Sequence, residues 1–197
     1  MPRSRIALPL LVALPALLVA FAGLFHPIFL TPDTAERWQI AHLLLLPGFP
    51  LVAVALFVVL RGEHGPAAWG ARLLAVAYAV LYGALDTIAG IGAPAQVIRA
   101  AERGDPAPPI NDLFEIGDKL GALGVYSLAA AVALTGYVLF LRHRSPLVVG
   151  GAVLAVAACK PFLDQHVFRP YGVLAMVGIG VGLGLIEAGR QRSLPAA

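Results

Sequence analysis

One aspartate stands alone in an apolar stretch: Asp86 has no basic residue in its own segment between Arg72 and Arg99. An unpaired ionisable side chain in hydrocarbon costs several kcal/mol, so such a residue marks a functional site and calls for a partner. His42, Glu115 with Asp118, and Lys119 meet the same description. Residues three, four or seven apart share a helix face. By that rule Tyr78, Tyr82 and Asp86 form one stripe, with the acid outermost. Trp38, His42 and Phe49 form a second stripe, and Asn111, Glu115, Asp118, Lys119 and Tyr126 a third. Protonatable groups would then sit at the mouth of a pocket, with aromatic walls below.

A carboxyl group shut into an apolar site favours its protonated form. It can protonate an alkene or epoxide, and aromatic faces can steady the resulting carbocation. The expectation is a membrane-embedded cyclase or isomerase acting on a lipophilic, isoprenoid-like substrate. Its catalytic candidates are Asp86 first, Glu115 and Asp118 as alternatives, and His42 at the mouth; Tyr78, Tyr82, Trp38, Phe49 and Tyr126 are the substrate-binding candidates. In chemical character, though through no signature stretch, such a site resembles small integral-membrane terpene cyclases.

Plainer readings stand beside these. Glu115 and Lys119 have the favourable i, i+4 order and can neutralise each other. His42 can be a hydrogen-bonded packing residue, and Asp86 can pair with Lys119 across a helix interface. Tyr137 and Tyr171 read as interfacial anchors. A proton-coupled carrier or an accessory subunit of a larger complex is the alternative function. Polar residues in the spans concentrate in one half of the membrane, which favours a one-sided pocket over a transport path.

No H-E-x-x-H, phosphate-cradling glycine loop or G-x-S-x-G elbow occurs. His26, His42 and His166 lie on the same side, so a b-type haem site is conceivable. So is a carboxylate–histidine metal site from Glu115, Asp118, Asp86 and His166, although the spacing matches no familiar ligand motif. The leading expectation includes no cofactor and no metal.

These residues must be positioned by membrane helices. Apolar residues make up 59% of the 197 positions and charged residues 13%, which no water-soluble domain of this size could cover with polar surface. About 20 apolar residues cross a bilayer core. The predicted fold is an all-α bundle in one transmembrane domain over 1–197, with spans near 6–30, 33–60, 66–91, 111–141, 146–162 and 170–186; five spans are an alternative. Met1 to Arg5 and the apolar run after it mimic a signal peptide, but the run continues to Leu30 and reads as a retained first helix. Thr31-Pro32-Asp33 reads as a helix start, and Pro47 and Pro50 interrupt span two. Gly90, Gly92 and Pro94 loosen the end of span three, and residues 96–102 form an interfacial turn. The three-proline stretch from Gly104 to Asn111 is the longest loop.

The net charge of +3 comes from scattered basic residues, without the aromatic-interleaved patch that nucleic acid would need. The single cysteine, Cys159, precludes an intrachain disulfide. Arg3, Arg5, Arg61, Arg72, Arg142, Arg144, Arg190 and Arg192 fall on the N-terminal side of the membrane, and the smaller remainder of Lys and Arg on the other. The expectation is therefore a multi-pass protein of the plasma membrane with both termini cytoplasmic. All the acids except Glu63 and Glu187 lie in the outer half. Gly178, Gly180, Gly182 and Gly184, and Gly117 with Gly121, predict close helix contacts within the fold or in a homo-oligomer.

Overall fold

The computed structural model describes residues 4–192, with side chains for 6–192. Arg3, and the side chain of Arg5, both used to orient the chain, lie outside these. Among the described residues there is no strand, and six helices are long and apolar enough to cross a membrane. Helix α1 is Ser4–Gly23, with Pro9 and Pro15 inside it; neighbouring helices can compensate the backbone groups that a proline frees in a membrane helix.

The second span breaks into α2 (Ala35–Leu45) and α3 (Gly48–Val59) at Pro47, which lacks the amide needed to continue the ladder. Its start also differs from the sequence expectation. Thr31-Pro32-Asp33 forms a turn, and the helix begins after Thr34. The Thr34 hydroxyl donates to the Phe29 carbonyl at 2.7 Å and accepts from the Thr31 amide at 2.9 Å. These bonds tie down the loop that follows α1.

The third span is longer than its apolar run. Helix α4 (Pro66–Leu85) passes into a π-helical segment (Asp86–Gly92) and then into α5 (Ala93–Arg103), which ends at the left-handed Gly104. The loosening expected from Gly90 and Gly92 is thus a wider helical turn, a feature that often accompanies functional sites. Helix α6 (Asn111–His143) has 33 residues, and α7 (Pro146–Gln165) and α8 (Tyr171–Arg192) complete the bundle.

Glycine sets the closest helix contacts, as small residues do in membranes. A β-carbon at Gly182 would meet the Gly151 carbonyl of α7, and one at Gly180 or Gly184 would press on α1 backbone. Gly121 is filled against Leu85 of α4. At the termini end, Glu187 is fully buried and takes both arms of the Arg61 guanidinium, at 2.5 and 2.7 Å. Arg142 holds Glu63 at 3.0 Å. These pairs close that end of the bundle, and the residues singled out for chemistry gather at the other.

Candidate metal centre

Three segments converge at the end of the bundle away from the termini. The loop after α1 delivers His26, α2 delivers His42, and the turn after α7 delivers His166. One nitrogen from each lies within 4.8 Å of the others. Nε2 of His26 stands 3.4 Å from Nε2 of His42 and 3.3 Å from its Nδ1. Zinc binds imidazole nitrogen at about 2.0–2.1 Å in tetrahedral sites, which puts two ligand nitrogens roughly 3.4 Å apart. The spacing of this pair fits a shared ion and leaves no room for a tetrapyrrole plane between the two rings.

The other ring nitrogens are already committed. Nδ1–H of His26 donates to the Pro27 carbonyl at 2.5 Å, and Nδ1–H of His42 to the Trp38 carbonyl at 2.9 Å. A carbonyl can only accept, so both rings are Nδ1-protonated and both Nε2 atoms keep their lone pairs. Nε2 of His26 thus faces both the unprotonated Nε2 of His42 at 3.4 Å and its Nδ1–H at 3.3 Å. His166 Nδ1 lies 2.5 Å from the Tyr82 hydroxyl, where either partner can donate. When the ring donates, Nε2 is the free ligand atom, and it has no hydrogen-bond partner. Metal-bound histidines are ordinarily oriented in this way, through the second ring nitrogen.

Local backbone supports the placement. His166 has φ 49° and ψ −126°, in a turn closed by the Phe168 amide on the Gln165 carbonyl at 2.9 Å. That is the first central position of a type II′ turn, which glycine usually occupies. A side chain there costs about 1–3 kcal/mol and tends to mark a functional site. On the opposite side, the His42 ring lies over Gly90 of the π segment, in space that a β-carbon at Gly90 would occupy. The widened turn thus seats one of the three imidazoles.

The surroundings keep the two loop rings, His26 and His166, neutral. Burial pushes the His26 imidazole down to about 4, against the opposing pull of its bond to Pro27. Burial also holds His166 well below the usual range, reinforced by the His42 and His26 rings. Trp38 stacks on His42 at 5.4 Å and Phe168 packs on His26 at 4.9 Å. Asp86, the first residue of the π segment, is fully buried, with Oδ1 3.9 Å from His42 Nε2. Neither of its carboxylate oxygens has a hydrogen-bond partner. The carboxyl group of Asp86 thus sits beside the three imidazoles with its polar capacity unused.

The sequence-predicted residues divide. His42, Asp86, Tyr82, Trp38, Phe49 and Tyr78 come together, but the aromatics pack ring on ring: Tyr82 is 4.6 Å from Phe49, 4.8 Å from Phe162 and 5.6 Å from Tyr78. They fill the space below the histidines, and only Tyr82 and Trp38 reach the adjoining cavities. Asp118 lines those cavities with His166. Glu115 is exposed and pairs with Lys119 at 2.6 Å, as the plainer reading had it. Lys119 is therefore not the partner of Asp86. Tyr126 is exposed on the far face of α6 and stays outside the group. His26 and His166 are functional candidates that the search for intramembrane charge did not rank. They belong to loops, and only their shared side of the membrane pointed to them.

No protein-family model, curated protein or solved structure matches this chain. The class of the protein therefore rests on its geometry: a six-span helical membrane bundle with three convergent histidines at one end.

Proposed function

We propose that the protein is a membrane-embedded metalloenzyme in which His26, His42 and His166 hold a divalent first-row ion, zinc by the chemistry of the donor set, and activate water. Three neutral imidazoles with a fourth position left open is a catalytic arrangement for zinc. Held there, such an ion would lower the pKa of a water bound to it toward neutrality, and Asp86, 3.9 Å from His42 Nε2, would be placed to exchange a proton with it. The observation that carries this reading is the convergence of three buried or half-buried imidazoles with one nitrogen each within 4.8 Å, two of them oriented by Nδ1–H bonds to carbonyls and the third by Tyr82.

The test is metal content. Protein purified in mild detergent without added metal should carry one zinc per chain, and His42→Ala and His166→Ala should carry almost none while keeping their helical spectrum. Equal metal in all three proteins would refute the site.

A second reading rests on Asp86 alone. Its unpartnered carboxyl group shares a helix face with Tyr82 and Tyr78, which suits acid-initiated cyclisation or isomerisation of an isoprenoid-like substrate. That reading needs no ion, so activity that survives complete metal removal would favour it.

A further inference from the structure

Two cavities meet beside His166. One, about 550 Å³, opens at the mouth of the bundle among Phe29, Trp38, Asn111 and Phe114. The other, about 300 Å³, runs down between α6 and α7 along Ala122, Val125 and Phe162. Both are lined by Asp118, Leu163, Asp164 and His166. From Asn111 to Val125 the path follows α6 for roughly 20 Å at about 1.5 Å per residue. The four shared residues make the two spaces neighbours along one crevice wall, with a polar throat at His166 and a more apolar lower arm.

We propose that this crevice binds a long-chain amphiphile with a neutral, oxygen-bearing head. The head would sit at His166 and Asp118, and the chain would lie between α6 and α7. The proposal rests on the metal-centre reading only for what the head meets; the crevice stands on its own lining. Three observations select the ligand. The lower arm is walled by Leu85, Ala122, Val125, Phe162 and Leu163, which suit a hydrocarbon chain and offer a polar group few partners. Its lining on α6 includes the small Ala122, where a larger side chain would project into the space. The only charged residues lining either cavity are Asp118 and Asp164, and Lys160 is drawn onto Asp164 along the same helix. With Asp164 paired, the Asp118 carboxyl group at the throat disfavours phosphate, sulfate or carboxylate heads in the metal-free protein.

The experiment uses the full-length protein in lipid nanodiscs and hexadecanol carrying a mid-chain diazirine. After photolysis, labelled peptides are mapped by mass spectrometry. Label is expected on Val125, Phe162 and Leu163 above that on lipid-facing Tyr126, and unlabelled hexadecanol should displace it. In metal-free protein, hexadecyl sulfate should compete at least about tenfold more weakly, given the like charge of Asp118 at the throat. Ala122→Phe should abolish crevice labelling and leave Tyr126 labelling unchanged; displacement in the unmodified protein tests the same point if that variant fails to fold. Label confined to lipid-facing residues would overturn the crevice, and equal competition by the sulfate would overturn the neutral head. Cobalt(II) loading in parallel separates the two proposals: no imidazole-bound cobalt spectrum with crevice labelling intact removes the metal centre alone, and the converse removes the crevice alone.

Discussion

Nε2 of His26 lies 3.4 Å from Nε2 of His42, while each ring gives its Nδ1 proton to a backbone carbonyl within its own segment. The local hydrogen bonds fix the tautomers, and the fold brings the two unprotonated nitrogens to the spacing that a shared tetrahedral ion would need.

Tyr82 should act on the ion through His166. Removing its hydroxyl in Tyr82→Phe leaves the ring packing with Phe49 and Phe162 intact and takes away the partner of Nδ1. Zinc affinity, measured by competition with a chromophoric chelator, should fall about 10- to 100-fold, as for other orienting partners of ligand histidines. The thermal midpoint of the metal-free protein should move little.

Gly90 is required by close approach. In Gly90→Ala the new methyl group enters the space of the His42 ring, and overpacking of this kind costs about 1–3 kcal/mol. The variant should melt earlier in detergent and bind zinc more weakly. Gly83→Ala, where a β-carbon meets nothing within 4 Å, is the matched control.

The metal-free protein should weaken in acid. His26 and His166 are held below the ordinary imidazole value of 6.5, and His26 lies at about 4. The unfolded chain therefore binds protons more readily, and stability is greatest above pH 6.5 and declines as the pH falls toward 4. Each such group contributes up to about 1.4 kcal/mol per pH unit across that window. Thermal melts at pH 7.5, 6, 5 and 4 should show a falling midpoint, and His26→Gln should flatten the trend.

Glu115→Gln and Tyr126→Leu should leave metal content and fold unchanged. Glu115 forms an exposed i, i+4 pair with Lys119, worth about 0.3–0.5 kcal/mol in such positions, and Tyr126 faces outward. Loss of zinc in either variant would move the site toward α6.

Asp86 and the aromatic stripe beneath it were legible in the sequence because helical periodicity reports which residues share a face. What periodicity cannot report is whether a face lines a cavity or fills one, and Tyr78 and Phe49 fill theirs. His26 and His166 escaped the same logic because each sits in a loop or turn, where no period operates. Their convergence on His42 is set by the break at Pro47, the Thr34 turn and the strained backbone of His166, all of them tertiary or irregular features. The six spans were readable from apolar length, yet their ends shifted. The third span continues to Arg103 through a π segment, which depends on what packs against Gly90 and not on local hydrophobicity.

The most direct measurement is X-ray absorption at the zinc edge on the purified full-length protein. One zinc per chain is expected, bound by three imidazole nitrogens at about 2.0–2.1 Å, a signal that disappears in His26→Ala, His42→Ala and His166→Ala. A folded protein without bound metal, or one whose metal has no imidazole shell and survives all three substitutions, would contradict it.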